Sequence, residues 1–122
     1  VRDILTAPAA YWQLSIEQHA ELCNGCGARD GIDVPDPVYL LSIKRACNIH
    51  DYMYQVGTTA EEKIEADRTF LANMNAIIKK ESVFFLKGPR MVRAREYYLA
   101  VKYFGHDAFY NATPKPTQKE TR

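Results

Sequence analysis

The chain has 122 residues, of which 47% are hydrophobic and 25% charged, and a formal net charge of +1. That length suits one domain with a single core and excludes two, and the small net charge excludes a global pull toward nucleic acid or an anionic membrane. No run of about 18 apolar residues occurs, so a soluble chain without a transmembrane segment is expected. The N-terminus also lacks the charged, apolar and small-residue regions of a signal peptide, and the start at Val1 rather than Met leaves localisation open.

In chain order, residues 1 to 12 carry Pro8 and end in Tyr11-Trp12, for which core packing is expected and insertion at a lipid interface is the alternative. Ser15 and Gln18 have capping-box spacing, so a helix is expected after Ser15, with Ile16, His19, Ala20 and Leu22 or Cys23 at helical spacing and His19 on its solvent edge. From Cys23 to Pro37, Gly25, Gly27, Gly31, Pro35 and Pro37 exclude regular structure, and loops of that length inside small domains are usually functional. Asp36-Pro37 reads as N-cap and first residue of a long helix running to Val56. Gly57 ends it, and Thr59 with Glu62 forms the capping box of the next helix. That helix spans about Thr59 to Lys80, with Ile64, Phe70, Leu71, Met74, Ile77 and Ile78 as its apolar stripe. Ser82 to Leu86 is a short apolar run that Gly88-Pro89 is expected to break. A further helix follows from Met91 to near Gly105, with Val92, Tyr97, Tyr98, Leu99, Val101 and Phe104. The expected fold is all-α, one domain over residues 1–112, with a disordered, proline-containing tail at 113–122.

The chemistry concentrates in Cys47-Asn48-Ile49-His50-Asp51-Tyr52-Met53-Tyr54. At about 100° per residue His50 and Tyr54 share a helix face, Cys47 lies on it one turn earlier, and Asp51 is at its edge. The turn at Gly57-Thr58-Thr59 lies midway between positions 50 and 67. Two helices folded antiparallel about it bring Asp67 level with His50, which predicts a buried His-Asp pair. Two readings of the neighbouring cysteines compete. Cys23-x-x-Cys26 followed by Cys47-x-x-His50 has the ligand types and spacing of a structural zinc site. Alternatively, Gly25-Cys26-Gly27 allows tight backbone turns that aim carbonyl oxygens at a hard cation, to which Asp51 adds a carboxylate, a calcium-type oxygen set. The zinc reading leaves Asp51, Tyr54 and Asp67 unexplained.

Cys47-x-x-His50-Asp51-x-x-Tyr54 resembles the C-x-x-H-D-x-x-Y motif of the secreted phospholipase A2 superfamily, and Gly25-Cys26-Gly27 resembles its glycine-rich calcium loop. Asp67-Arg68 is similar to the aspartate-arginine pair on that family's second long helix. The match spans roughly residues 23 to 74 and is most like the short bacterial and phage-type members with few disulfides. Ala46 stands where many animal members have another cysteine, and Arg29 where their loop usually has glycine.

The resemblance implies two long antiparallel helices carrying the His/Asp pair, a glycine-rich metal loop and flanking helices. It further implies calcium-dependent hydrolysis of the sn-2 ester of glycerophospholipids, with water as nucleophile and no covalent intermediate. Its catalytic set is His50, Asp67 and Tyr54, and its calcium ligands are Asp51 and carbonyls of Gly25, Gly27 and Arg29. Cys26 pairs with Cys47 in a disulfide, which favours secretion. Among Lys87, Arg90, Arg93 and Arg95, Arg90 and Arg93 are candidates for headgroup contact, a solvated helix face being the plainer reading. The expected partner is a phospholipid at a membrane or micelle surface, engaged by a monomer, with no nucleic acid. A zinc module and a catalytically silent binding protein with the same fold are the alternatives.

The cysteine readings separate by substitution. With a disulfide, Cys23→Ser is nearly neutral, whereas Cys26→Ser or Cys47→Ser opens a loop of about 20 residues and costs roughly 2 to 4 kcal/mol. With zinc, all three destabilise alike; equal losses of Tm, each with loss of metal, would reject the disulfide.

Overall fold

In the computed structural model residues 4–22 and 41–111 are described, and 81% of them are helical, with no strand among them. The described helices are α1 (Ala9–Trp12), α2 (Ile16–Leu22), α3 (Lys44–Val56), α4 (Ala60–Glu81), α5 (Phe84–Phe104) and α6 (His106–Tyr110). The architecture is all-α. The expected tail from Thr113 and the loop from Cys23 to Pro37 lie outside the described residues.

The break between α3 and α4 is made by local hydrogen bonds. Thr59 Oγ1 accepts from the Glu62 N–H at 3.1 Å, and the Glu62 carboxylate accepts from the Thr59 N–H at 3.0 Å. Two of the donors that a helix start leaves unpaired are thereby satisfied. Glu61 and Glu62 in the first turn and Lys79 and Lys80 in the last complement the helix dipole. Gly57 caps α3 in an extended conformation, φ −74° and ψ 151°. Its need for glycine is therefore one of space: a Cβ there would stand 2.8 Å from the Phe109 ring. The Ser15–Gln18 box forms as expected at the start of α2, with bonds of 2.9 and 3.1 Å.

Two boundaries differ from expectation. The long helix read from Asp36-Pro37 does not run through Leu41 to Ile43; Ile43 is the N-cap and α3 starts at Lys44. Ser42 Oγ accepts the Lys44 N–H at 3.3 Å, a local bond that competes with helix continuation. Conversely, Gly88-Pro89 does not break the chain: α5 passes through both. Proline crowds the Cβ of the residue before it, and Gly88 has none. Arg90 Nη1 also donates to Ser82 Oγ at 2.9 Å, tying this first part of α5 to the end of α4.

Helix α4 is flanked by α3 and α5. Ile43, Ala46 and Cys47 bury against Phe70, Met74, Ile77, Ile78 and Ala94. A second cluster joins Tyr11 to Ile49 and Tyr52, so Tyr11 is a core residue, with Trp12 packed against it. His19 is half-buried rather than on an open edge, its Nε2 3.0 Å from the Tyr11 hydroxyl. Ile16, Ile64, Val92 and Phe104, placed on apolar stripes by spacing, are exposed. The N-terminal segment is fastened by Asn73, which is fully buried on α4. Its Oδ1 accepts the Thr6 N–H at 2.7 Å and its Nδ2 donates to the Thr6 carbonyl at 2.8 Å.

Asn73→Ala removes both bonds at about 1 kcal/mol each. The expected result is a lower urea midpoint and a red shift of Trp12, the chain's one tryptophan, as its segment undocks. An unchanged midpoint and spectrum would show that packing alone holds the segment.

Candidate functional site

The site is built around a carboxylate. Asp67 on α4 is 3% exposed, and four helices contribute to its surroundings. From α3, His50 Nε2 lies 2.8 Å from Asp67 Oδ1, and the Tyr54 hydroxyl donates to the same oxygen at 2.7 Å. One turn before Asp67, Lys63 Nζ donates to Oδ2 at 2.8 Å. Lys63 Nζ also reaches the carbonyls of Val101, at 3.0 Å, and Lys102, at 3.5 Å. Those carbonyls belong to the last turn of α5, the negative end of its dipole; that of Val101 also accepts the Gly105 N–H at 2.9 Å, and one ammonium thus serves both the carboxylate and a helix end. The His50 ring stacks on Phe70 at 4.5 Å between centroids, and Tyr54 meets Phe109 of α6 edge-on at 5.2 Å.

These contacts fix protonation states. Burial pushes the Asp67 carboxyl up, but hydrogen bonds from His50, Lys63 and Tyr54 outweigh it and hold the group below the usual carboxylate range. Tyr54 moves the other way: burial first, then its hydrogen bond to Asp67 and that group's charge, push the phenol well above its ordinary value. Tyr54 therefore stays a donor at any physiological pH. An ionised carboxylate only accepts, so Nε2 of His50 must carry the proton that faces it. In the neutral ring this leaves the lone pair on Nδ1, which has no hydrogen-bond partner among the described residues. A ring so oriented can take a proton at Nδ1 while Asp67 stabilises the cation that forms.

The other residues singled out from sequence are placed as follows. Asp51 lies on α3 directly after His50 and is half-buried. Gly25, Gly27, Arg29, Cys23 and Cys26 lie outside the described residues. Among the described residues no group of three or more His, Cys, Asp or Glu side chains gathers as a metal site. Cys47 is buried and disulfide-bonded, its partner lying outside the described residues. Arg90 is turned inward onto Ser82 and has little surface to offer a headgroup, whereas Arg93 is a third exposed and faces Glu96 at 3.3 Å. No helix of the described residues is long and apolar enough to cross a membrane.

Three contributors escape the motif. Lys63 is the main one, and its spacing of four residues from Asp67 is a readable signal for an ion pair. Phe70 is recognisable as apolar but not as the stacking partner of His50. Phe109 lies beyond the last helix expected from sequence, and only its long-range packing on Tyr54 and Gly57 gives it a role.

Comparison with protein-family models, curated proteins and solved structures gives no match to this chain.

The pH dependence of stability follows from the two shifts. Asp67 has a folded pKa below its unfolded value of about 3.9, so its contribution is present above that value and lost as pH falls through the folded one. Tyr54 has a folded pKa above its unfolded value of about 10, so its contribution is present below that value and declines as pH rises past it. Melting curves from about pH 2 to about pH 11 should show Asp67→Asn flattening the acid limb and Tyr54→Phe the alkaline limb. Curves parallel to wild type in both variants would contradict this assignment.

Proposed function

We propose that this chain is a calcium-dependent ester hydrolase of the phospholipase A2 kind, cleaving the sn-2 ester of glycerophospholipids with water activated by His50. The observation that carries the reading is the His50 ring held through Nε2 by a buried, ionised carboxylate, which directs the basic lone pair to Nδ1. In this reading α3 and α4 are the antiparallel pair that the motif implies. Arg45 near the start of α3 lies 2.9 Å from Glu81 at the end of α4, in keeping with that direction.

The reaction needs a base, a held ring and a charge to receive the oxyanion. Water attacks the ester carbonyl as His50 Nδ1 takes its proton. The proton then passes to the departing glycerol oxygen, leaving a fatty acid and a lysophospholipid. Asp67 keeps its charge throughout and stabilises the imidazolium, and Tyr54 and Lys63 are positioning residues that act through Asp67. Calcium, when held by Asp51 with carbonyls of Gly25, Gly27 and Arg29, supplies the Lewis acid for the ester carbonyl. Asp51 suits that task because one helical step turns it about 100° from His50. The disulfide at Cys47 supports this reading over a zinc module, since a disulfide sulfur is not a thiolate ligand. Pairing with Cys26 and an oxidising, extracellular setting are part of the proposal. Of the two arginines considered for headgroups, Arg93 keeps the exposure such a contact needs.

His50→Gln keeps helical state and an amide that can still donate to Asp67, so it should keep the fold yet abolish calcium-dependent fatty-acid release from phospholipid vesicles by removing the base. Unchanged release would overturn the mechanism. The two carboxylates should fail differently in calorimetric calcium titration: Asp51→Asn loses the site, while Asp67→Asn keeps the affinity and lowers turnover. An unchanged Kd in Asp51→Asn would show that the ligands are misassigned.

A further inference from the structure

Pairs spaced four residues apart lie one above the other on a helix face. On α4 these include Lys63 with Asp67 and Ile64 with Arg68; on α5, Tyr98 with Lys102. Where α4 and α5 pack, those six residues line a pocket of about 200 Å³. Its formal charges are one carboxylate and three cations. The carboxylate is already engaged, Oδ2 by Lys63 and Oδ1 by His50 and Tyr54, so Lys63 balances Asp67. Arg68 and Lys102 then remain, and neither has a carboxylate partner among the described residues. Lys102 Nζ instead lies over the rings of Tyr98 and Tyr103, 5.8 and 5.4 Å from their centroids.

Two uncompensated cations beside one small concavity repel each other unless an anion joins them. We infer that this pocket binds a phosphate-type oxyanion. The surplus of two positive charges matches a phosphate dianion better than a carboxylate. The arginine fork offers paired donors to its oxygens, and the lysine adds a point charge. The Tyr98 ring gives an apolar wall, and the volume leaves room for a short organic group beside the phosphate. Asp67, part of the lining, is held by its three donors, with Lys63 standing as its counter-ion. Binding here does not rest on the hydrolase reading: Arg68, Lys102 and Tyr98 take no part in the proposed proton transfer, so either proposal can fail alone.

The test uses the full chain at low ionic strength, where such contacts are least screened. Calorimetric titration with inorganic phosphate should give saturable binding, weakened about tenfold in Arg68→Gln and in Lys102→Gln. Lys44→Gln, at an exposed position on α3, should bind as wild type does. A second arm compares sedimentation with phosphatidylcholine vesicles with and without phosphatidic acid. If retention on the acidic vesicles also falls in Arg68→Gln and Lys102→Gln, the phosphate recognised is a lipid headgroup. If only free phosphate responds to those substitutions, the ligand is a soluble phosphate or phosphate ester. Absence of saturable binding in both arms overturns the inference. So does equal weakening by Lys44→Gln, which would show diffuse attraction and no pocket.

Discussion

Removing a carboxylate from water costs several kcal/mol even in a relaxed protein, and only well-placed donors offset it. Asp67 meets that requirement with an imidazole, a phenol and an ammonium, each within 2.8 Å of one of its oxygens. Each donor is fixed by something else. His50 is held by its stack on Phe70, Tyr54 by Phe109, and Lys63 by the end of α5. One buried charge thus sets the relative register of α3, α4, α5 and α6. A substitution that removes one of the three donors without supplying another leaves the buried carboxylate short of a partner, where breaking such a pair typically costs about 3 to 5 kcal/mol.

The same arrangement separates stability from reactivity within one ring. Nε2 of His50 belongs to the buried network, and Nδ1, without a hydrogen-bond partner among the described residues, is the atom to which the proposed function assigns the proton transfer. Lys63 strengthens the separation, because its hydrogen bond, after that from His50, helps hold Asp67 ionised and so keeps the histidine tautomer unambiguous. Tyr54 adds a neutral donor whose proton is held more firmly than that of a free phenol. A base presented in this way needs no strained backbone, only packing that stops the ring from turning.

Much of this was legible in the sequence because it depends on helical period and on short-range caps. The capping boxes at Ser15 and Thr59 are local, so residue type and spacing suffice to find them. The His50–Asp67 pair was placed by symmetry about the Gly57 turn. What escaped depended on three-dimensional neighbours. Pro89 reads as a breaker when taken alone, yet Gly88 before it spares one of proline's steric conflicts, that with the preceding Cβ, and Arg90 after it adds an anchor. Asp36-Pro37 predicts a start for the long helix ahead of the observed one at Lys44, where Ser42 offers the Lys44 N–H a partner outside the helix. Phe109 and Asn73 carry no signature, since a buried phenylalanine and a doubly bonded amide are recognisable only from what they touch.

Gly105 shows how tightly the end of α5 and the start of α6 are drawn against the site, since a Cβ there would collide with the Val101 carbonyl and stand 2.7 Å from the Tyr54 hydroxyl. The chain separations involved are unequal. His50 and Asp67 are 17 residues apart and can meet by closing one short loop, whereas Gly105 and Phe109 must return to Tyr54 across two full helices. Loop closure costs more with length, and local contacts form sooner than distant ones. On these separations alone, the expected order of folding begins with the polar pair, assembled while still open to water, and ends when α6 closes over it. In that order His50 and Asp67 find each other while a mismatch can still be corrected, before the surroundings become dry enough to make one irreparable.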